Sequence, residues 1–185
     1  MIKIAILGTE SSGKTTLATD LSTHFGVDFV QEYAREYLED FYQKNQQEKK
    51  QKQPYRLQDI ENIAKQQYQN TQEHCLQNKD MQIIVVDTEL IVTKIWAQNS
   101  FKTVPKWILE HIEKQNFDLY LLTFYDDIAW EYDPLREHQD LNDRKMLFEC
   151  YKNELEKYKF SYEIISGENR EIRLKNALET ISKLL

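Results

Sequence analysis

The chain has 185 residues, with 24 lysines and arginines against 31 aspartates and glutamates, and a formal net charge of −7. This length predicts a single domain, residues 1–185, that can hold a sheet covered on both faces. The acidic balance argues against a nucleic-acid partner, which requires a basic stripe. No apolar run reaches the roughly 20 residues of a membrane span, so no membrane partner is expected. The sequence does not indicate an oligomeric state.

The cysteines and the N-terminal residues indicate the cellular compartment. Cys75 and Cys150 lack the spacing of a metal site or a redox pair. The start Met1-Ile2-Lys3 does not have the charged and apolar regions of a signal peptide. We therefore expect a cytoplasmic protein with reduced thiols.

The first predicted elements are a strand over 2–7, a loop over 8–15 and an amphipathic helix that continues to residue 25. This order is typical of a phosphate-binding loop, or P-loop. Gly8 and Gly13 allow the backbone amides to approach phosphate oxygens. Lys14 is expected to reach the β- and γ-phosphates of ATP, and the Thr15 hydroxyl to hold Mg²⁺. The predicted nucleotide-binding residues are Gly8, Thr9, Glu10, Ser11, Ser12, Gly13, Lys14, Thr15 and Thr16.

Apolar runs alternating with helical patterns follow along the rest of the chain. Further strands are predicted over 27–30, 83–86, 118–122 and 162–165, and further helices over 34–45, 57–76, 91–98, 107–114, 144–158 and 170–185. Such alternation predicts βαβ units. The expected fold is therefore an α/β P-loop NTPase, with a five-stranded parallel sheet flanked by helices on both faces.

The segment 43–53 consists almost entirely of glutamine, lysine, glutamate and asparagine. It has nothing to bury, so the simple interpretation is an exposed helix end or a mobile loop. Because it follows the second strand, the alternative is a flap over an acceptor pocket.

Charged and aromatic residues directly after the second strand predict part of an acceptor site. Glu32 can face a hydroxyl acceptor across the γ-phosphate and act as a base, and Arg35 can orient acceptor or phosphate. The alternative is a helix start with surface charges, in which Tyr33 and Tyr37 pack against each other one turn apart.

Asp87 closes the apolar third strand, at the sheet edge where ligands bind in open α/β folds. Its carboxylate can hold Mg²⁺ or bind a sugar hydroxyl of the acceptor. The alternative role is a helix N-cap, for which Thr88 is a second candidate. Trp96, on the following helix, can stack on an aromatic ring of the acceptor or pack in the core.

The polar segment 133–144, after the fourth strand, is predicted to be a short lid. Arg136 and Arg144 can neutralise charge on the phosphoryl group in transfer, or form exposed ion pairs. After the fifth strand, residues 167–170 lie either beside the nucleotide base or at an ordinary helix start capped by Asn169.

Missing motifs exclude other P-loop classes. Asp87-Thr88-Glu89-Leu90 is not the Asp-x-x-Gly of a GTPase, and Asn78-Lys79-Asp80 lies before the third strand with the wrong spacing for base recognition. A large motor or an AAA-type ATPase needs further domains, for which 185 residues leave little room. A small phosphotransferase remains.

Taken together, these motifs resemble the kinase domain of NadR-type proteins over nearly the whole chain. The resemblance is carried by residues 8–15, Glu32 to Glu36, Asp87-Thr88, Trp130 to Arg136, and Arg144. It implies a nucleoside-kinase-like fold and transfer of the ATP γ-phosphate to the 5′-hydroxyl of nicotinamide riboside, for NAD salvage. Lys14, Glu32, Asp87, Arg136 and Arg144 would be catalytic, with Asp87 the second candidate for the base. Glu32, Tyr33, Arg35, Asp87 and Trp96 would bind substrate.

The sequence departs from that family in two respects. It has no His-x-Gly-His motif and starts at the kinase strand, so adenylyl transfer and repression are not expected. Gln31 stands where some family members have an aromatic residue, so the stacking contact would fall to Trp96 or Tyr33. Two alternatives therefore remain: a kinase for another nucleoside or nucleotide, and a regulatory ATP-binding module with segment 43–53 as a contact site.

Overall fold

Five parallel strands form one sheet in the computed structural model, which describes residues 1–44, 55–132, 135, 136 and 138–185. They lie in the order β2-β3-β1-β4-β5. The predicted α/β fold with a five-stranded parallel sheet is confirmed. The strands are β1 (Ile2–Gly8), β2 (Phe29–Val30), β3 (Ile83–Asp87), β4 (Leu119–Thr123) and β5 (Tyr162–Ile165).

Seven α-helices cover the two faces of the sheet in the described part of the chain. A short 3₁₀-helix, Glu113–Gln115, lies between the fifth and sixth of them. The α-helices are α1 (Lys14–Phe25), α2 (Tyr33–Lys44), α3 (Leu57–Gln77), α4 (Leu90–Phe101), α5 (Lys106–His111), α6 (Leu141–Tyr158) and α7 (Arg170–Ile181).

The alternation of side chains along β1 divides the core into two layers. Ile4 and Ile6 face α1 and α7, whereas Ala5 and Leu7 face the layer built from α3 to α6. Successive side chains of a strand point to opposite faces, so a central strand must be apolar at every position. This requirement explains the continuous apolar runs of β1 and β3. Because these two strands are parallel neighbours, their carboxyl ends lie at the same edge of the sheet.

Several element boundaries differ from the predicted ones for local reasons. β2 begins at Phe29 rather than 27, because Val27 belongs to the end of α1: its amide donates to the Ser22 carbonyl at 3.1 Å. α6 begins three residues early, at Leu141, because the Asp140 side chain caps it by accepting from the Asn142 amide at 2.7 Å. Residues 141–144 of the predicted lid are therefore helical.

Parts of two predictions lie outside the described residues. Of the polar segment 43–53, only 43 and 44 are described, as the last residues of α2. The flap proposed for this segment therefore stays a prediction, as does a lid at 133, 134 and 137. No helix among the described residues is long and apolar enough to span a membrane.

Candidate active site

The P-loop connects β1 to α1 and is fixed from inside by two hydroxyl groups. The Ser12 hydroxyl donates to the Thr9 carbonyl at 2.7 Å and shares a hydrogen bond of 2.6 Å with the Thr123 hydroxyl. A Cβ atom at Gly8 would run into both hydroxyls, so this position requires glycine. Gly13, at the start of α1, has φ +79°, a left-handed conformation that favours glycine. The amides of the loop and of α1 therefore form a site suited to phosphate.

The two predicted metal-binding residues, Thr15 in the first turn of α1 and Asp87 at the end of β3, lie in contact. The Thr15 hydroxyl donates to Asp87 Oδ2 at 2.6 Å, and Asp87 is 1% exposed. Asp87 Oδ1 is buried and forms no hydrogen bond with the residues that the structure describes. A buried carboxylate oxygen without a partner beside a hydroxyl fits the oxygen ligands of a hard cation such as Mg²⁺.

Burial raises the pKa of Asp87 to about 6, and the charge of Glu32 adds to this effect. The Lys14 ammonium and the hydroxyls of Thr15 and Thr88 act in the opposite direction. Lys14 itself donates to the Thr9 carbonyl at 3.0 Å. The structure thus brings Lys14, Glu32 and Asp87 close enough to interact electrostatically.

The helix that follows Asp87 is capped by neither of the predicted residues. The N-cap of α4 is Glu89, whose carboxylate accepts from the Ile91 amide at 2.9 and 3.0 Å. The alternative roles of Asp87 and Thr88 as caps were therefore wrong. Asp87 is left without a capping function, which removes the main structural alternative to a role in the site.

A cavity of about 260 Å³ adjoins the P-loop. Lys14 lines one side of it, and Glu32 and Arg35, from the segment after β2, line another. Trp96 of α4 and Arg136 complete the part of the wall that the sequence predicted. Predicted site residues from four separate segments therefore surround one space, twelve of them when the rest of the P-loop is included. The remaining P-loop residues in its lining are Gly8, Glu10, Ser11, Ser12, Gly13, Thr15 and Thr16.

Trp96 both lines the cavity and packs against the core. Its indole N–H donates to the Tyr55 hydroxyl at 2.8 Å, and the two rings meet edge to face with centroids 4.9 Å apart. Tyr55 also lines the cavity, and no sequence pattern indicates this because its partner is 41 positions away. The two aromatic residues together form one part of the cavity lining, the aromatic wall.

The segment after β4 contacts the P-loop at Glu10 and Ser11. Arg136 Nη1 donates to the Glu131 carbonyl at 2.6 Å and lies 3.4 Å from the Ser11 hydroxyl. The His138 amide donates to Glu10 Oε2 at 2.8 Å. Arg136 is therefore held beside the P-loop, and its role as a lid residue stays a prediction.

Arg144 lies in a different environment from Arg136. It is 5% exposed in the first turn of α6, does not line the cavity, and donates from Nη1 to the Tyr125 carbonyl at 3.0 Å. An exposed ion pair, the alternative for this residue, is therefore wrong. Its predicted contact with a phosphoryl group stays a prediction.

Tyr33 faces away from the cavity. Its ring lies 6.2 Å from that of Tyr37, edge to face, as in the alternative interpretation of this segment. Its amide donates to Oε1 of Gln67 at 2.8 Å, and Gln67 Nε2 donates in turn to the Thr88 carbonyl at 3.1 Å. Gln67, 2% exposed on α3, thus joins the backbone beside Glu32 to the backbone beside Asp87. No sequence signal singled it out.

Another buried side chain that the sequence did not single out contacts the P-loop from α7. Arg173, 3% exposed, donates from Nη2 to the Ser12 carbonyl at 2.6 Å. Asn169 caps the same helix by accepting from the Ile172 amide at 2.9 Å, which confirms the predicted cap. A contact of residues 167–170 with a nucleotide base stays a prediction.

Solved structures of similar fold include NadR proteins and nucleoside and nucleotide kinases. A NadR protein in complex with NR has a TM-score of 0.72 at 22% identity, and one in complex with NAD and AMP-PNP has 0.71 at 23%. Each match covers 98% of this chain and 49% of the NadR chain, so the chain spans about half of the NadR length. The likeness to NadR predicted from sequence is thus confirmed for the fold.

Two kinases of the same fold show lower identity. Deoxyadenosine kinase from M. mycoides with bound dCTP has a TM-score of 0.64 at 14% identity, covering 98% of this chain and 100% of that one. Thymidylate kinase from Candida albicans has 0.59 at 16%, covering 98% and 91%. No curated protein matches the sequence significantly.

A protein-family model described as an AAA domain matches residues 3–173, which is most of the chain. The length argument that set aside AAA-type ATPases was therefore wrong for this family, because it applies only to members with additional domains. The chain belongs to the AAA_28 family of AAA domains.

Proposed function

We propose that the chain is one kinase domain that transfers the γ-phosphate of ATP to the 5′-hydroxyl of nicotinamide riboside. The observation that carries this proposal is the cavity between the P-loop and the aromatic wall, with Glu32 and Arg136 at its sides. A space of this size beside a phosphate loop suits a small acceptor. The fold shared with NadR proteins, including one in complex with NR and one with AMP-PNP, supports the choice of acceptor and of ATP.

The P-loop holds the triphosphate in this proposal. Its amides and the dipole of α1 bind the phosphate oxygens, and Lys14 turns from the Thr9 carbonyl to the β- and γ-phosphates. Thr15 and Asp87 would hold Mg²⁺, which neutralises charge on the phosphates when bound.

Glu32 is the proposed base. It is half-buried and lines the cavity, whereas Asp87 is almost fully buried and already accepts from Thr15. The Glu32 carboxylate takes the proton of the acceptor hydroxyl as that oxygen bonds to the γ-phosphorus and ADP leaves. Arg136 neutralises the charge on the transferred group. Arg144 does not line the cavity and donates to the Tyr125 carbonyl, so the proposal gives this role to Arg136, which does line it.

The aromatic wall is proposed to bind the nicotinamide ring. Trp96 offers a ring at the cavity surface, held by its hydrogen bond to Tyr55. Neither Gln31 nor Tyr33 lines the cavity, so Trp96 is the one of the two predicted stacking residues that can take this role. Arg35 and Glu32 lie where they can bind the ribose hydroxyl groups.

A kinase for another nucleoside or nucleotide is the second candidate. Deoxyadenosine kinase and thymidylate kinase share the fold along nearly their whole length. An aromatic wall accepts any planar base, so the cavity alone does not select nicotinamide. The third alternative, a regulatory module, rests on segment 43–53, most of which lies outside the described residues.

The test measures ADP release from ATP and Mg²⁺ with nicotinamide riboside, adenosine, deoxyadenosine, thymidine and thymidylate in parallel. Turnover with nicotinamide riboside above the other acceptors is expected, and Lys14→Ala should abolish it. Preference for another acceptor would replace the proposed substrate. Nucleotide binding without turnover on any acceptor would favour the regulatory module.

A further inference from the structure

Arg173 is a buried cation at the back of the P-loop. Its Nη2 donates to the Ser12 carbonyl at 2.6 Å, and its Nη1 is buried without a hydrogen-bond partner among the residues described. Arginine stays charged in proteins, so this group places a positive charge in the interior. A buried charge is costly unless something in its surroundings or a ligand compensates it.

Three loops at the ligand edge of the sheet meet at this side chain. The first is the P-loop: the guanidinium Cζ lies 3.5 Å from where a Cβ atom of Gly13 would stand. The second follows β5: Arg173 Cγ lies 2.9 Å from where a Cβ atom of Gly167 would stand. The third follows β4 and carries Asp127, which accepts from the Gly167 amide at 2.8 Å and interacts electrostatically with Arg173.

The contact with Ser12 determines how one peptide group of the P-loop is oriented. In a planar trans peptide, the carbonyl and the N–H of the next residue point in opposite directions. A guanidinium that holds the Ser12 carbonyl therefore directs the Gly13 N–H away from itself. Donation from a cation to the carbonyl also polarises the peptide, which makes that N–H a stronger donor.

We propose that Arg173 is a positioning residue for the nucleotide: it fixes the Ser12–Gly13 peptide with its N–H directed at a phosphate and ties the P-loop to the loops after β4 and β5. Its positive charge beside the loop further favours an anionic ligand. This role depends on one part of the proposed function, that the P-loop binds a nucleoside triphosphate, and does not depend on the acceptor.

Arg170 provides a matched control on the same helix. It stands one turn before Arg173, and its Nε lies 2.8 Å from both carboxylate oxygens of Asp20 on α1. Its side chain is 64% exposed. Arg170→Met therefore removes the same charge from the same helix without removing a contact to the P-loop.

The experiment measures binding of AMP-PNP and of inorganic tripolyphosphate by calorimetry, with thermal stability measured alongside. Arg173→Met should weaken both ligands about tenfold or more, because tripolyphosphate reports on the P-loop without a base. Arg170→Met should bind tripolyphosphate, which has no base that residues 167–170 could contact, within about twofold of wild type. Arg173→Lys, which keeps the charge but loses the planar fork, should fall between them.

Binding by both Arg173 variants within about twofold of wild type would overturn the proposal. An equal loss of tripolyphosphate affinity in Arg170→Met would also overturn it, because the charge of the helix would then explain the effect. If Arg173→Met does not fold, Arg173→Lys decides. A wild-type protein that binds neither ligand overturns the proposed function together with this role, whereas binding without acceptor turnover overturns the kinase alone.

Discussion

The proposed nucleotide side and the proposed acceptor side of the site are built in different ways. The phosphate loop is a continuous run, residues 8–15, whose internal hydrogen bonds join neighbours such as Ser12 and Thr9. The acceptor side combines residues after β2, on α4 and after β4, and Gln67 of α3 connects the segment after β2 to the segment after β3 that follows Asp87. A short motif therefore predicts the ligand class of the nucleotide side from the sequence. The residues of the acceptor side come together only through tertiary packing, so no short motif marks them.

The largest effect is expected where the two sides meet, at Arg136. Arg136→Ala should lower kcat by about 10³-fold or more, because an arginine that neutralises the transferred phosphoryl group is worth roughly 10³ to 10⁵ in rate. Its stability in urea should change little, since the side chain is only half-buried.

Arg144→Ala is the matched control for this prediction. Arg144 is buried against the Tyr125 carbonyl, so its removal should lower the free energy of unfolding by about 1 to 3 kcal/mol. If Arg136→Ala kept a near wild-type kcat, Arg136 would not act on the transferred phosphoryl group.

Glu32 tests whether the acceptor side supplies the base. Glu32→Gln keeps the shape but cannot accept a proton, so kcat should fall by about 10²- to 10⁴-fold while AMP-PNP affinity is retained. Asp87→Asn should instead lower the affinity for Mg²⁺, so that more Mg²⁺ is needed for the half-maximal rate, since Asp87 bonds Thr15, the other proposed Mg²⁺ ligand. If Glu32→Gln keeps its rate and Asp87→Asn loses it even at saturating Mg²⁺, the base belongs to the nucleotide side.

Glu89 gives the start of the acceptor helix α4 a dependence on pH. Burial raises the pKa of Glu89 to about 7, although the Ile91 amide and the Gln115 side chain oppose this. A carboxyl group whose pKa is higher in the folded state stabilises the fold when protonated. This stability is lost as the pH rises from the unfolded value, near 4.5, to about 7.

Glu89→Gln should remove this loss. The free energy of unfolding of the variant, relative to wild type, should rise by up to about 3 kcal/mol between pH 4.5 and 7.5. Urea denaturation at both pH values measures the difference. Parallel pH profiles for the two proteins would mean that Glu89 does not titrate in this range.

Gln67 tests whether one buried amide group holds the acceptor side together. Gln67→Met leaves the Tyr33 amide and the Thr88 carbonyl without their partner, so the segments carrying Glu32 and Asp87 can shift. Misplacement of about 1 Å can reduce a rate by about 10²-fold, and we expect a fall in kcat of up to this size with little change in AMP-PNP affinity.

Gln115 is the control for that experiment. It is also a buried glutamine, but it bonds Glu89 and the Leu90 amide and does not line the cavity. Gln115→Met should lower stability and leave kcat nearly unchanged. Equal losses of kcat in the two variants would contradict a specific role of Gln67.

The smallest effect is expected at the aromatic wall. Trp96→Leu should raise KM for the acceptor by about two- to tenfold, the range of an aromatic contact, with KM for ATP unchanged. Trp107, which stacks on His111 with centroids 4.0 Å apart and does not line the cavity, supplies the control variant Trp107→Leu. A shift shared by both variants would exclude a specific contact of Trp96 with the acceptor.

The fold could be predicted because its signals are local. The apolar runs of β1 and β3 and the P-loop determine the order of strands and helices without reference to distant residues. Caps were less predictable: Glu89 caps α4 although aspartate and threonine precede it, because the chain turns at Thr88, where φ is +73°. Gln67, Tyr55 and Arg173 act on partners at least 20 positions away, so no sequence spacing marks them.

The contacts of Glu10 and Ser11 have a consequence for protein engineering and for evolution. Both residues bond the segment after β4, through the amides of His138 and Glu131. A phosphate loop without these two side chains, transplanted from another P-loop protein, would lose these bonds, so the loop is not an interchangeable module. Substitutions at positions 10 and 11 are expected to be accepted only together with changes more than 100 residues later.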